Sequence, residues 1–185
     1  GLRHVVITCV TRDDLPDGGA EAFAQTIQAI RQLNPSTIIE VLIPDFQLDR
    51  RAVQLVTAAQ PHIIAHNVET VPRLYSLVRA QADYRRSLDV LRMVKELDRR
   101  IAVKSGLMLG LGEREEEVLE VFQDLAGAGC AFLSIGQYLA PGKDHYPVQE
   151  FIPPEQFERY RHQALQSGLR RVCSGPYVRS SYLAH

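Results

Sequence analysis

The chain has 185 residues, 45% of them apolar and 23% charged, the balance of an ordinary globular protein. Lys and Arg total 21 against 22 Asp and Glu, a formal net charge of −1 that removes the basic signature of a nucleic-acid binder. No apolar run nears the roughly 20 residues that span a bilayer, so neither nucleic acid nor membrane is an expected partner. Cys9, Cys130 and Cys173 lie far apart without a Cys-x-x-Cys, which reads as free thiols in a reducing, cytoplasmic setting, or an organelle if the source is eukaryotic. No initiator Met precedes the first β-like run, so the chain reads as the downstream part of a longer one.

That first run covers residues 3–10. A turn rich in Asp, Pro and Gly then leads into a helix with Phe23, Ile27 and Ile30 on one face. Residues 37–43 are a continuous, β-branched second strand, followed by a helix carrying Ala52, Val53, Leu55 and Val56. Residues 62–66 form the third strand. Residues 84–98 form a helix with Leu88, Leu91, Val94 and Leu97 inward, and residues 101–109 the fourth strand. The next helix opens on Glu113, Glu115, Glu116 and Glu117, acids that the positive end of a helix dipole favours. A fifth strand at 131–138, a helix from Pro153-Pro154 through Leu165 and a sixth strand at 170–173 complete the series.

Unbroken apolar strands imply two covered faces. Six of them alternating with helices imply an α/β parallel sheet. A full eight-unit barrel takes about 250 residues. The fold expected is therefore a partial (β/α) barrel of about six strands, open at its N-terminal edge, with a doubly wound sheet as the rival. A single domain covers 1–185.

In such sheets the ligand sits beyond the C-terminal strand ends. The polar residues there are the Gly18-Gly19-Ala20-Glu21 string after the first strand and His66-Asn67-Val68-Glu69-Thr70 after the third. The fourth strand contributes Lys104-Ser105-Gly106 and Gly110-Leu111-Gly112-Glu113, the fifth Gly136-Gln137-Tyr138 and the sixth Ser174-Gly175-Pro176. Each has a structural reading: Gly18-Gly19 as a turn, Asn67 as a cap, Glu113 as a dipole-favoured acid. Lys104 is harder to assign to structure alone, because lysine is rarely buried without a partner. Polar residues at five successive strand ends point to a cavity built for a polar ligand.

These residues also carry a resemblance. The first strand, Thr11-Arg12-Asp13-Asp14-Leu15-Pro16-Asp17-Gly18-Gly19-Ala20-Glu21, His66-Asn67-Val68-Glu69-Thr70-Val71-Pro72-Arg73, the Lys104–Glu113 string and Arg179-Ser180-Ser181-Tyr182 together resemble lipoyl synthases, in order along the chain. The Gly18 to Glu21 string is similar to the Gly-Gly-Glu element of radical S-adenosylmethionine enzymes. The string from Gly106 to Glu113 resembles their Gly-x-Ile-x-Gly-x-x-Glu element, with Met108 in the Ile place.

The resemblance implies an enzyme that inserts two sulfur atoms into an octanoyl chain on a lipoyl carrier domain. It implies S-adenosylmethionine, two 4Fe-4S clusters and an electron donor such as ferredoxin or flavodoxin. It implies cofactor contacts at Gly18, Gly19, Glu21, Asn67, Glu69, Lys104, Ser105, Gly106, Gly110, Glu113 and Tyr138, with Lys104 as a point charge for the cofactor carboxylate. It also implies a hydroxyl ligand for the second cluster at Ser181, with Ser180 as the second choice, on a tail folded back over the barrel mouth. Both cysteine triplets of the family are absent, since three scattered cysteines cannot hold two thiolate-bound clusters. The chain is accordingly read as the C-terminal portion of such an enzyme and as inactive alone. The alternatives are a Schiff-base aldolase or lyase using Lys104, and a non-catalytic module that docks a carrier domain.

Overall fold

A computed structural model of the chain describes residues 1–181. Six strands, β1 (His4–Thr8), β2 (Ile38–Leu42), β3 (Ile63–Ala65), β4 (Ala102–Leu109), β5 (Phe132–Gln137) and β6 (Arg171–Gly175), form one sheet. Between them run the helices α1 (Ala20–Leu33), α2 (Arg50–Ala58), α3 (Tyr75–Val78), α4 (Tyr84–Leu97), α5 (Glu115–Gly127) and α6 (Pro154–Gln166). Every pairing is parallel, and the spatial order follows the chain from β1 to β6. A doubly wound sheet reverses its order at a switch point. This one does not, so the sheet is singly wound, as a partial barrel requires, with β1 and β6 at its edges.

Successive strand residues point to opposite faces. On the helix side, Ile39, Val41, Ile64, Val103, Leu107, Leu133 and Ile135 join Ile27, Val53, Leu91, Phe122 and Phe157 in one core cluster. Phe122 and Phe157 are fully enclosed, each worth about 1.5–3 kcal/mol of burial. The opposite, concave face takes Glu40, Ala65, Lys104, Gly106 and Ser134, and it is here that polar side chains collect.

Local chemistry sets the helix starts. Asp17 accepts from the Gly19 and Glu21 amides at 3.0 and 2.8 Å, ahead of α1, while Gly18 and Gly19 take left-handed φ of 61° and 87°. Asp49 and Asp83 accept likewise from Arg51 and Arg86, at the openings of α2 and α4. The structure corrects the sequence reading at two places. Glu113 lies outside α5, its carboxylate turned back on the preceding loop. A short turn, Pro72–Leu74, and the four-residue α3 fill a stretch that sequence periodicity left blank.

Candidate functional site

The chain does not leave the sheet at the end of β3 but runs on beside β4. The Glu69 amide donates to the Gly106 carbonyl at 2.9 Å and the Met108 amide to the Glu69 carbonyl at 2.8 Å. Ser105 holds this extension from beneath, its hydroxyl accepting from the buried Val68 amide at 3.2 Å. Glu69 adopts a left-handed φ of 64°, a conformation that non-glycine residues take at some energetic cost.

Asn67 is thereby laid across Gly106. A Cβ at Gly106 would meet Asn67 Oδ1 at 2.8 Å, so the glycine is needed for the approach. Asn67 Nδ2 donates to Glu69 Oε1 at 3.0 Å, whereas Asn67 Oδ1 is buried without a partner among the described residues. A buried acceptor left unpaired costs about 1–3 kcal/mol, so this oxygen is available to a ligand donor. Burial pushes the Glu69 carboxyl above its ordinary range, with the Asn67 hydrogen bond and the Arg79 charge opposing. Asn67, Glu69, Gly106, Met108 and Ser134 line a cavity of about 200 Å³, which Gly136, Gln137, Leu139 and residues 178–180 complete.

Lys104 is not at a strand end. It is the third of eight residues in β4, 6% exposed, with Nζ 2.8 Å from Glu40 Oε1 and 2.5 Å from the Ser180 carbonyl. Glu40, 1% exposed, also faces His4 Nε2 at 3.2 Å. The ammonium group is thus committed to a protein carboxylate. A cofactor carboxylate or a carbonyl substrate would have to compete with Glu40 for it. Glu40 and His4 were passed over in the sequence reading.

Other expected residues serve the surrounding loops. Glu113 accepts from the Gly110 and Leu111 amides at 2.6 and 2.9 Å. Gly110, at φ 94°, lies where a Cβ would come within 2.3 Å of the Glu150 carbonyl and of Gln137 Nε2. The Tyr138 hydroxyl donates to the Tyr146 carbonyl at 2.7 Å. Gly18 lines a separate cleft of about 280 Å³ with Leu15, Pro16 and Phe46. Glu21 is exposed and accepts from Gln25 at 3.0 Å. Ser180 lines the Asn67 cavity, and Ser181 is exposed; Tyr182 lies outside the described residues. The structure therefore brings Asn67, Glu69, Gly106 and Ser180 together, and it leaves Gly18 at a different opening and Gly19 and Glu21 at the start of α1.

His66 turns to the helix side, facing a cleft of about 830 Å³ that Arg79 and Arg86 also line. Its Nδ1 donates to the Ile43 carbonyl at 2.9 Å, and burial lowers its pKa, so the ring is kept neutral. Cys9 is exposed, Cys173 half-buried and Cys130 buried. Among the described residues, no three His, Cys, Asp or Glu side chains gather to hold a metal ion.

The Radical SAM superfamily profile matches residues 1–125. The lipoyl synthase of Geobacter metallireducens is 64% identical over 184 residues, which cover 100% of this chain and 65% of that protein. The lipoyl synthase of Geotalea uraniireducens is 60% identical over 183 residues, 99% of this chain and 64% of that one. The chain thus spans just under two thirds of these relatives' length. Among solved structures, methylornithine synthase superposes with a TM-score of 0.67 at 13% identity, over 98% of this chain and 61% of that one. A domain of pyruvate-formate lyase-activating enzyme from Bacteroides vulgatus gives 0.65 at 12%, over 91% and 98%. At such low identity the two superpositions speak for the fold alone. The profile match over most of the chain establishes the family: the chain belongs to the radical SAM superfamily.

Proposed function

We propose that this chain is the S-adenosylmethionine-binding part of a lipoyl synthase, an enzyme that inserts two sulfur atoms into an octanoyl chain carried by a lipoyl carrier domain. The observation that carries the reading is the 64% identity to a lipoyl synthase along the whole chain. The cavity beneath Asn67 fits the cofactor chemically. The unpaired Asn67 Oδ1 suits an ammonium or hydroxyl donor, the buried Glu69 carboxyl suits another, and Gly106 admits a ligand close to the backbone. S-adenosylmethionine, when bound, supplies the source of an adenosyl radical. The residues of this chain bind it, orient it and keep water from it.

Cys9, Cys130 and Cys173 do not fit a 4Fe-4S cluster, which takes thiolates converging on one point. We assign the thiolate ligands of two clusters to residues outside this chain, with the exposed Ser181 as the one hydroxyl ligand from within it. Reduction by a ferredoxin or flavodoxin belongs to the same proposal. None of the helices among the described residues is long and apolar enough to cross a membrane, and the free thiols suit the cytoplasm.

The test is calorimetric titration of S-adenosylmethionine into a full-length protein containing this chain, with Asn67→Ala beside it. Loss of one hydrogen bond to a charged donor is worth about 1.5–3 kcal/mol, so Kd should rise about 10- to 100-fold. Unchanged affinity refutes the placement. Mass spectrometry of an octanoylated carrier peptide, expected to gain two sulfur atoms, tests the reaction itself.

A further inference from the structure

After β6 the chain does not run out into solvent. Residues 176–181 turn back as a strap across the concave face of the sheet. The turn is closed by the Val178 amide, which donates to the Gly175 carbonyl at 3.1 Å, and Val178 itself is buried. The Val178 carbonyl then passes directly over β5 at Gly136, where an added Cβ would lie 2.3 Å from it. Two residues later the Ser180 carbonyl meets Lys104 Nζ at 2.5 Å. The strap is therefore seated at two points, one steric and one polar, on two different strands.

The polar seat is an unusual use of charge. Lysine is almost never fully buried unless paired, and Lys104 sits inside β4, where the one other polar side chain is the Ser105 hydroxyl. The lysine's partner Glu40 is an acid in the middle of β2. The pair satisfies itself in part, at 2.8 Å, and His4 steadies the other carboxylate oxygen at 3.2 Å. A buried pair of this kind is weak evidence for stability, because well-packed apolar residues often serve as well. What apolar residues cannot do is donate to the backbone of the strap. Lys104 can, and Glu40 fixes the direction in which it does so.

We propose that Lys104, oriented by Glu40, is a positioning residue that docks the C-terminal strap into the barrel, making Val178, Arg179 and Ser180 one wall of the cavity that holds Asn67 and Glu69. The docking itself stands on the geometry above. Its consequence for ligand binding rests on the proposed S-adenosylmethionine site.

The experiment uses a full-length protein containing this chain. Lys104→Met alone strands a buried carboxylate, so the deciding variant is Lys104→Met combined with Glu40→Leu, which removes both charges. Amide hydrogen exchange of residues 176–181 is read against that of β4 and α5, and S-adenosylmethionine is titrated in parallel. Strap exchange should rise at least ~10-fold while β4 and α5 stay protected, a local loosening that a general loss of stability would not give. Affinity for S-adenosylmethionine should fall by about the same factor, since the cavity loses a wall.

Wild-type strap exchange in a folded double variant overturns the proposal, whatever happens to affinity. Should the double variant fail to fold, Glu40→Gln decides. It keeps Lys104 but removes the charge that orients it, so strap exchange must rise, and an unchanged strap overturns the proposal equally. A wild-type protein that takes up no S-adenosylmethionine overturns the reading of the cavity, and the exchange measurement still decides the docking.

Discussion

Replacing Glu117 by Gln tests how the loops around the cavity are held together. Glu117 lies in the first turn of α5 and is 8% exposed. Its carboxylate accepts from Arg73 Nε at 2.7 Å and Nη2 at 2.9 Å, and from the Arg114 amide at 2.8 Å. Arg73 Nη2 also donates to the Gly112 carbonyl at 2.8 Å. One carboxylate thus joins the turn after β3, the glycine turn after β4 and the start of α5. The Arg73 guanidinium, first among its partners, holds the Glu117 carboxyl at about 2 against an ordinary 4.5. At about 1.36 kcal/mol per pH unit, that displacement corresponds to roughly 3 kcal/mol between the charged and neutral forms. Arg73 is 46% exposed on its side chain, so water screens the pair, and about 1–2 kcal/mol is the expected loss at pH 7. The carboxyl is depressed in the folded state. Its contribution is therefore complete above pH 4.5 and is lost as pH falls toward about 2. Urea unfolding of wild type and Glu117→Gln, at pH 7 and at steps down to the acid limit of folding, measures the difference. The gap should close with falling pH. A gap that stays constant means the loss is one of shape rather than charge, and equal stabilities at pH 7 refute the bridge outright.

Burial pushes the Cys130 thiol up to about 12, so at pH 8 a disulfide reagent should modify exposed Cys9 first and reach Cys130 only after denaturation. Equal rates for the two thiols in the folded protein would contradict the packing of β4 against β5. Gly110→Ala forces a Cβ onto the Glu150 carbonyl at a positive φ and should lower stability by about 1–3 kcal/mol or more, read from thermal unfolding. Gly127→Ala, where a Cβ meets nothing within 4 Å at the end of α5, is the matched control and should be neutral or gain up to about 1 kcal/mol.

The strands were legible because each is a short apolar run bounded by polar residues; five fall within the stretches expected of them, and β6 runs two residues past its expected end, to Gly175. Their order was not. A doubly wound sheet and a partial barrel share the same alternation along the chain, and they differ in strand order and in whether the helices cover one face or two. The helix α3 was invisible for another reason: four residues after Pro72 are too few to show a period of 3.6. Glu113 misled because a run of acids ahead of a helix looks the same whether a carboxylate faces the dipole or folds back onto the preceding amides. Only the left-handed turn at Gly110 turns those amides toward it.

The site was legible where polar side chains sit at strand ends and illegible where a charge lies inside a strand. Asn67, Glu69 and Gly106 stand out in sequence and meet in space. Lys104 also stood out, but depth along a strand cannot be judged from its polarity, and it was placed too near the rim. Its partner was hidden because the apolar run from 37 to 43 reads as continuous across Glu40. What went unseen is that Glu40 is the partner a buried Lys104 requires. Had the two been paired, geometry would have followed. Glu40 is on β2, in register with Ile63 of β3, and Lys104 is on β4, in register with Ala65, so their backbones are two strand spacings, about 9.6 Å, apart across the sheet and are also offset along it. Two long side chains reach across that diagonal only on the same face. Opposite charges buried in two strands thus point to strands that lie near each other in the sheet and share a face, the face on which the strap docks.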